Sequence, residues 1–192
     1  DGKVLTPEQA DSNPLRGEPG SKTVLTVQRE GAKKPLELTV QRETIRISSV
    51  RARMLEPGYA YLRISAFQAD TADDFASQID KLQAQAGGSV LDLRTNPGGL
   101  LTSAVQIADD LLEKGGIVST RGRNPVADAT FNATPGDRMR GAPLVVLVDA
   151  GSASASEVLA AALRDNKRAQ IVGSRTFGKG VFQEVLELPN GG

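Results

Sequence analysis

Apolar and polar positions follow one period near the start of the chain and another from Tyr59 onward. Within "KTVLTVQREGAKKPLELTVQRE" the alternation predicts two strands, Thr23–Arg29 and Leu36–Gln41, joined by a glycine-containing turn. No exact repeat runs through the chain, although "TVQRE" occurs in each of these segments. Ahead of them, Thr6-Pro7-Glu8-Gln9 reads as a helix start, with Thr6 as N-cap and Gln9 closing a capping box. Pro14 and "RGEPGS" end that helix early.

From Tyr59 strands alternate with helices. "YAYLRIS" predicts a strand, and "DTADDFASQIDKLQAQAGG" an amphipathic helix with Phe75, Ile79 and Leu82 on one face, stopped by Gly87-Gly88. "SVLDLR" predicts a buried strand that leads through "TNPGG" into a helix over Leu100–Glu113. "GIVSTRG" predicts a further strand, and residues 121–141 a long polar connection. "APLVVLVDA" is the most apolar strand and runs straight into three serines at alternate positions. A helix over 154–165, a strand "AQIVGS", the loop "RTFGKG" and a strand "VFQEVLELP" complete the pattern. This rhythm implies an α/β fold with a mainly parallel sheet over residues 42–192, preceded by a small β-rich piece over residues 1–41.

Composition narrows the chemistry. The 192 residues are 39% hydrophobic and 24% charged, ordinary for a globular protein. Lys+Arg 23 against Asp+Glu 23 gives zero formal charge, which points away from nucleic acid or an anionic membrane surface as a partner. No apolar run approaches the roughly 18 residues of a membrane span. Opening on "DGKVL" and stopping on "LPNGG", a turn expected to lead into another strand, the sequence reads as a segment of a longer protein. With no cysteine and no histidine, neither a thiol nucleophile nor a zinc site is expected, and no cofactor is implied.

In parallel sheets, functional groups gather on the loops that follow strand carboxyl ends. Three such loops stand out: "TNPGG", "DAGSASAS" and "RTFGKG". A serine opening a helix lies near unpaired backbone N–H groups and the positive end of the helix dipole, which favours a developing oxyanion. One serine suffices for a cap, so a run of three leaves room for one to cap and another to attack. With no imidazole in the chain, the proton acceptor has to be a lysine, a carboxylate or water, and a neutral lysine is an established substitute. A free lysine has a pKa near 10.4, so only about one copy in 10³ is neutral at pH 7 and a lysine base has to be desolvated. Lys179 suits that role, lying between glycines and close to Phe177, whose ring can exclude water. Gly98-Gly99, opening the next helix, offers N–H groups to a negatively charged oxygen.

Taken together, "LDLRTNPGGLL", "PLVVLVDAGSASASEVLAAAL" and "RAQIVGSRTFGKGVFQEV" resemble the C-terminal processing, or tail-specific, serine proteases, in order and over nearly the whole chain. The resemblance implies a crotonase-like (ClpP/crotonase-type) protease core over residues 42–192, preceded by an incomplete PDZ remnant over residues 1–41. It implies Ser154 as nucleophile, Lys179 as general base and Gln183 as the residue that orients the amine. Oxyanion donors fall on the backbone of Ala155 and of either Gly98 or Gly99. Ser152 and Ser156 would be a loop hydroxyl and a helix-start cap, while Asp165 would cap the helix or pair with Arg168. Expected partners are protein or peptide substrates with exposed C-termini. Family members often assemble and switch between resting and active forms, so an activating adaptor and a homo-oligomer are further expectations. The location implied is extracytoplasmic, in a bacterial periplasm. The rival readings are a catalytically silent peptide-binding scaffold on the same fold and a crotonase-type acyl-CoA enzyme. The second generally needs a polar group poised over a thioester, so the Ser/Lys pairing explains these residues better.

Overall fold

In its first unit, Asp1–Ile47, the computed structural model has one hairpin among the described residues. The described residues of the whole chain are 4–6, 14–45, 47–123 and 128–181. Strands β1 (Lys22–Val27) and β2 (Leu36–Gln41) pair antiparallel, with Lys22 opposite Gln41 and Val27 opposite Leu36. The register sets Leu25 beside Leu38 and Val27 beside Leu36 on one face, as the alternation requires. The first strand stops two residues short of the expected Arg29. Residues 7–13, where the expected N-terminal helix falls, lie outside the described residues.

The second unit, Ser48–Gly192, is α/β. Its elements are β3 (Val50–Glu56), β4 (Gly58–Ile64), α1 (Thr71–Leu82), β5 (Ala86–Asp92), α2 (Leu101–Leu111), β6 (Gly115–Thr120), β7 (Ala129–Ala133), β8 (Leu144–Val148), α3 (Ala155–Asp165) and β9 (Gln170–Gly173). Five strands form one sheet in the order β3-β4-β5-β8-β9, antiparallel only between β3 and β4. Alternate residues of the central strands, such as Leu62, Ile64, Leu91 and Val146, and Leu93 just past β5, are buried in one core. Phe75 and Ile79 of α1, Ile107 and Leu111 of α2, and Leu159 and Leu163 of α3 complete it. The parallel strands therefore end together, and their carboxyl-end loops share one edge.

Two expectations are corrected, and one strand is added. Strand β6 does not join the main sheet; it pairs antiparallel with β7, which lies within the supposed polar connection 121–141. Phe131 is the one large apolar residue of "ATFNA", too little to stand out as a strand. The edge strand β3, "VRARMLE", went unpredicted, although Arg51 and Arg53 alternate with the inward Val50, Ala52 and Met54 as a half-buried strand requires. Finally, Arg168 does not pair with Asp165. Asp165 meets Arg164 at 2.8 Å, whereas Arg168 reaches Asp137 at 3.0 Å and also donates to the Leu111 and Ala142 carbonyls.

Candidate active site

Strand β8 runs through Asp149 into a tight turn and then α3, with the three serines on that turn. Ser152 is buried; its Oγ donates to the Leu93 carbonyl at 2.7 Å and accepts the Asp149 N–H at 3.0 Å. Ser156 is also buried, and its Oγ donates to the Asn96 carbonyl at 3.0 Å. The expected cap at Ser156 is therefore corrected: its hydroxyl is committed to the neighbouring loop, and Ser154 occupies the N-cap position. Ser154 adopts φ 55° and ψ −114°, a conformation that side-chain-bearing residues rarely take. Its two serine neighbours brace the turn, and Ser154 is the half-buried one of the three.

Loop 94–99 packs against that turn. Asn96 is fully buried: its side-chain N–H donates to the Ile64 carbonyl at 2.9 Å, and its Oδ1 accepts the Gly98 N–H at 2.9 Å. Its backbone carbonyl accepts the Ala153 N–H at 3.0 Å. Thr95, strained at φ 56°, donates its N–H to Asp149 Oδ1 at 2.8 Å. Gly98 has φ 103°, and a Cβ there would lie 2.8 Å from the Ala153 carbonyl and 3.1 Å from the Ala155 nitrogen. Only glycine permits the PGG loop to come this close. Phe67 donates to the Gly98 carbonyl and accepts from Leu100, which turns the Gly99 N–H away from that strand-like contact. Among the described residues, the N–H groups of Gly99 and Ala155 have no acceptor, whereas that of Gly98 is taken by Asn96.

Beneath this loop, the buried Asp92 carboxylate accepts Tyr61 Oη at 2.6 Å, Arg63 at 3.0 Å and Arg94 at 2.8 Å. Burial opposes its ionisation, but the hydrogen bonds from Arg94 and Tyr61 outweigh that and hold it well below the usual carboxylate range. Arg63 extends to the Arg94 carbonyl and to Thr95 Oγ1, tying the loop's first residues to β4.

The third loop meets the turn through Glu157, in the first turn of α3. Its Oε2 accepts the N–H groups of Ser154 at 2.8 Å and Lys179 at 2.9 Å. Its Oε1 accepts Thr176 Oγ1 and the Gly178 N–H, both at 2.7 Å. Desolvation raises the Glu157 pKa, but these four bonds more than offset it and the net direction is down. Phe177 donates its N–H to the Ser152 carbonyl at 3.0 Å.

Most of the expected site residues thus come together. Gly98, Gly99, Ser154, Ala155 and the backbone of Lys179 meet at the carboxyl edge of β5, β8 and β9. No hydrogen bond joins the Ser154 and Lys179 side chains among the described residues, and the expected drying of Lys179 is not seen. Lys179 is exposed and Phe177 is 69% exposed, because the loop lies on the surface with its ring turned outward. Gln183 lies outside the described residues. Glu157, Asn96 and Arg63 went unnoticed in the sequence. For Glu157 a signal existed, because Ser154-x-x-Glu157 has capping-box spacing.

A strained serine on a strand-to-helix turn, beside unclaimed backbone N–H groups, has the geometry in which serine hydrolases present a nucleophile. Comparison with known proteins narrows the class. The profile of Peptidase family S41 matches residues 58–192. A carboxy-terminal-processing protease of Bartonella bacilliformis is 40% identical over 199 residues, covering 100% of this chain and 46% of that protein. The carboxy-terminal processing protease CtpA of Bacillus subtilis is 34% identical over 179 residues, covering 92% of this chain and 38% of that one. The solved structure of a photosystem II D1 C-terminal processing protease superposes with a TM-score of 0.66 at 34% identity, over 91% of this chain and 49% of that one. Mature CPAF, at 14% identity and a TM-score of 0.58, shares the fold over 89% of this chain and 56% of its own. The chain belongs to peptidase family S41. It spans about half the length of the curated relatives it matches. Relatives include bacterial and chloroplastic proteins, and among the described residues no helix is long and apolar enough to cross a membrane.

Proposed function

We propose that this chain carries the catalytic core of a serine endopeptidase that cuts protein substrates near their C-termini through a Ser/Lys dyad. Ser154 Oγ attacks the scissile carbonyl carbon while the neutral Lys179 amine takes its proton, and the carbonyl oxygen becomes an oxyanion. The Ala155 and Gly99 N–H groups receive that oxyanion; they are preferred because the Gly98 N–H is already engaged by Asn96. Lys179 then gives its proton to the leaving amine, the C–N bond breaks, and an acyl-enzyme remains. Water activated by the same amine hydrolyses the ester and restores Ser154. Gln183 orients the amine. The core is crotonase-like, the β1–β2 hairpin is part of a PDZ fold, and the setting is extracytoplasmic, with assembly or an adaptor governing activity.

The observation that carries the reading is the Glu157 carboxylate bonded to both the Ser154 and Lys179 backbones, which sets the two loops side by side. The test is labelling of Ser154 by a fluorophosphonate across pH, in the protein at full length. The dyad predicts labelling that rises with pH and is abolished in both Ser154→Ala and Lys179→Ala. Near-normal labelling of Lys179→Ala rules the dyad out. That no hydrogen bond joins the Ser154 and Lys179 side chains among the described residues favours a second reading, a silent peptide-binding scaffold, for which the wild-type chain resists labelling at every pH.

A further inference from the structure

Glu157 does more than a helix cap requires. A glutamate at the third helical position that reaches back to the N-cap N–H is an ordinary capping arrangement, and it accounts for the bond to Ser154. Three further bonds come from Thr176, Gly178 and Lys179, 19 to 22 positions along the chain. We propose that Glu157 is a positioning residue for the reaction, holding the base loop against the nucleophile turn through its two carboxylate oxygens. This rests on the dyad reading given above and extends it.

The chemistry of the four partners specifies a carboxylate. Each oxygen of Glu157 accepts two donors, Ser154 and Lys179 at Oε2, Thr176 and Gly178 at Oε1. Glutamine is isosteric but offers one acceptor oxygen; its NH₂ would face two donors whichever way the amide turned. Aspartate keeps both oxygens on a stem one methylene shorter. The carboxylate's hydrogen-bonding capacity goes to backbone N–H groups and a hydroxyl, so its tie to position 179 is through the main chain rather than the amine. Glu157 thus sets where the Lys179 side chain starts without an ion pair that would hold the amine protonated.

The experiment compares wild type, Glu157→Gln, Thr176→Val and the double variant at full length, reading fluorophosphonate labelling of Ser154, peptide kcat and KM, and the thermal midpoint. A misplacement of about 1 Å can cost about 10²-fold in rate. Glu157→Gln is therefore expected to lose about 10²-fold in kcat with KM changed less than about 3-fold. Its pH–rate profile should move to higher pH, because the amine is no longer delivered to Ser154. Thr176→Val removes one donor and is expected to shift both quantities in the same direction by a smaller factor. The double variant should be no slower than Glu157→Gln, since both changes break the same bond. A purely structural role would lower the thermal midpoint and leave the kcat and pH profile of the folded fraction unchanged; that result overturns the proposal. If Glu157→Gln does not fold, an unchanged pH profile in Thr176→Val overturns it equally. A labelled wild type with a normally reactive Glu157→Gln defeats this inference and leaves the dyad standing. An unlabelled wild type defeats both.

Discussion

Ser154 pays for its exposure in backbone strain. Its φ of 55° and ψ of −114° suit glycine better than serine, and holding such a conformation costs on the order of 1–3 kcal/mol. The bracing bonds of Ser152 and Ser156 to the Leu93 and Asn96 carbonyls explain how the turn withstands it. Ser154→Ala keeps the strain, because alanine carries a Cβ, whereas Ser154→Gly relieves it. We expect Ser154→Gly to exceed Ser154→Ala in unfolding free energy by about 1 kcal/mol, after the loss of chain entropy specific to glycine. Urea unfolding of the two variants measures this directly, and equal stabilities would show that the turn is unstrained. Alternating serines in front of a helix reveal where a nucleophile could stand. They do not reveal which hydroxyls are committed to bracing the turn, because that depends on carbonyls of Leu93 and Asn96, about 60 positions away.

At the level of elements, the parallel strands and their helices were readable because burial imposes its periods on the residues themselves. Phe75 and Ile79 of α1, and the apolar run of β8, satisfy one core and show it in their spacing. Elements held by polar contacts leave no such trace. The segment 134–142 is fastened to α2 by Thr134 to Asp109 and by Arg138 to Asp110, and just beyond that helix by Gly136 and Asp137 to Glu113. Arg168, just before β9, closes this arrangement on Asp137, with side chains only 11% and 9% exposed. These partners are 23 to 31 positions apart, so local spacing cannot announce them. Arg168→Ala should cost about 2–3 kcal/mol, since it removes the cation from a largely buried carboxylate that keeps only the Met139 and Gly141 N–H groups, and takes a donor from the Leu111 and Ala142 carbonyls. Denaturant unfolding tests this, and a loss below about 1 kcal/mol would class the pair with exposed surface bridges.

Across the second unit, charge is distributed unevenly between the site edge and the strap over α2, and the pH response should reflect it. At the site edge Asp149, through its bond from Thr95 above all, and Glu157, despite its desolvation, are held below the ordinary carboxylate range, as is Asp92. A group with a lowered folded pKa contributes stability above its unfolded value and loses it as pH falls through the folded one. With unfolded values near 4, the loops around Ser154 should therefore stay fastened down to about pH 4 and loosen only below that. Asp110 behaves oppositely. Burial raises its pKa despite the bond from Arg138, and its Oδ2 has no hydrogen-bond partner among the described residues. Its contribution is present at acid pH and is lost as pH rises through its raised value. From about pH 7 down to about pH 4 the site edge should lose nothing, while the strap gains as pH falls through the raised Asp110 value. Amide exchange read by mass spectrometry separates the two. Protection of the amides of Gly178 and Lys179 should hold constant over that range, and that of Arg138, whose N–H donates to the Asp110 carbonyl at 2.8 Å, should rise. Loosening of the Glu157-bound loop above about pH 5 would mean that its four donors do not hold the carboxylate ionised, and the tie between the Lys179 loop and the Ser154 turn would be weaker than its geometry implies.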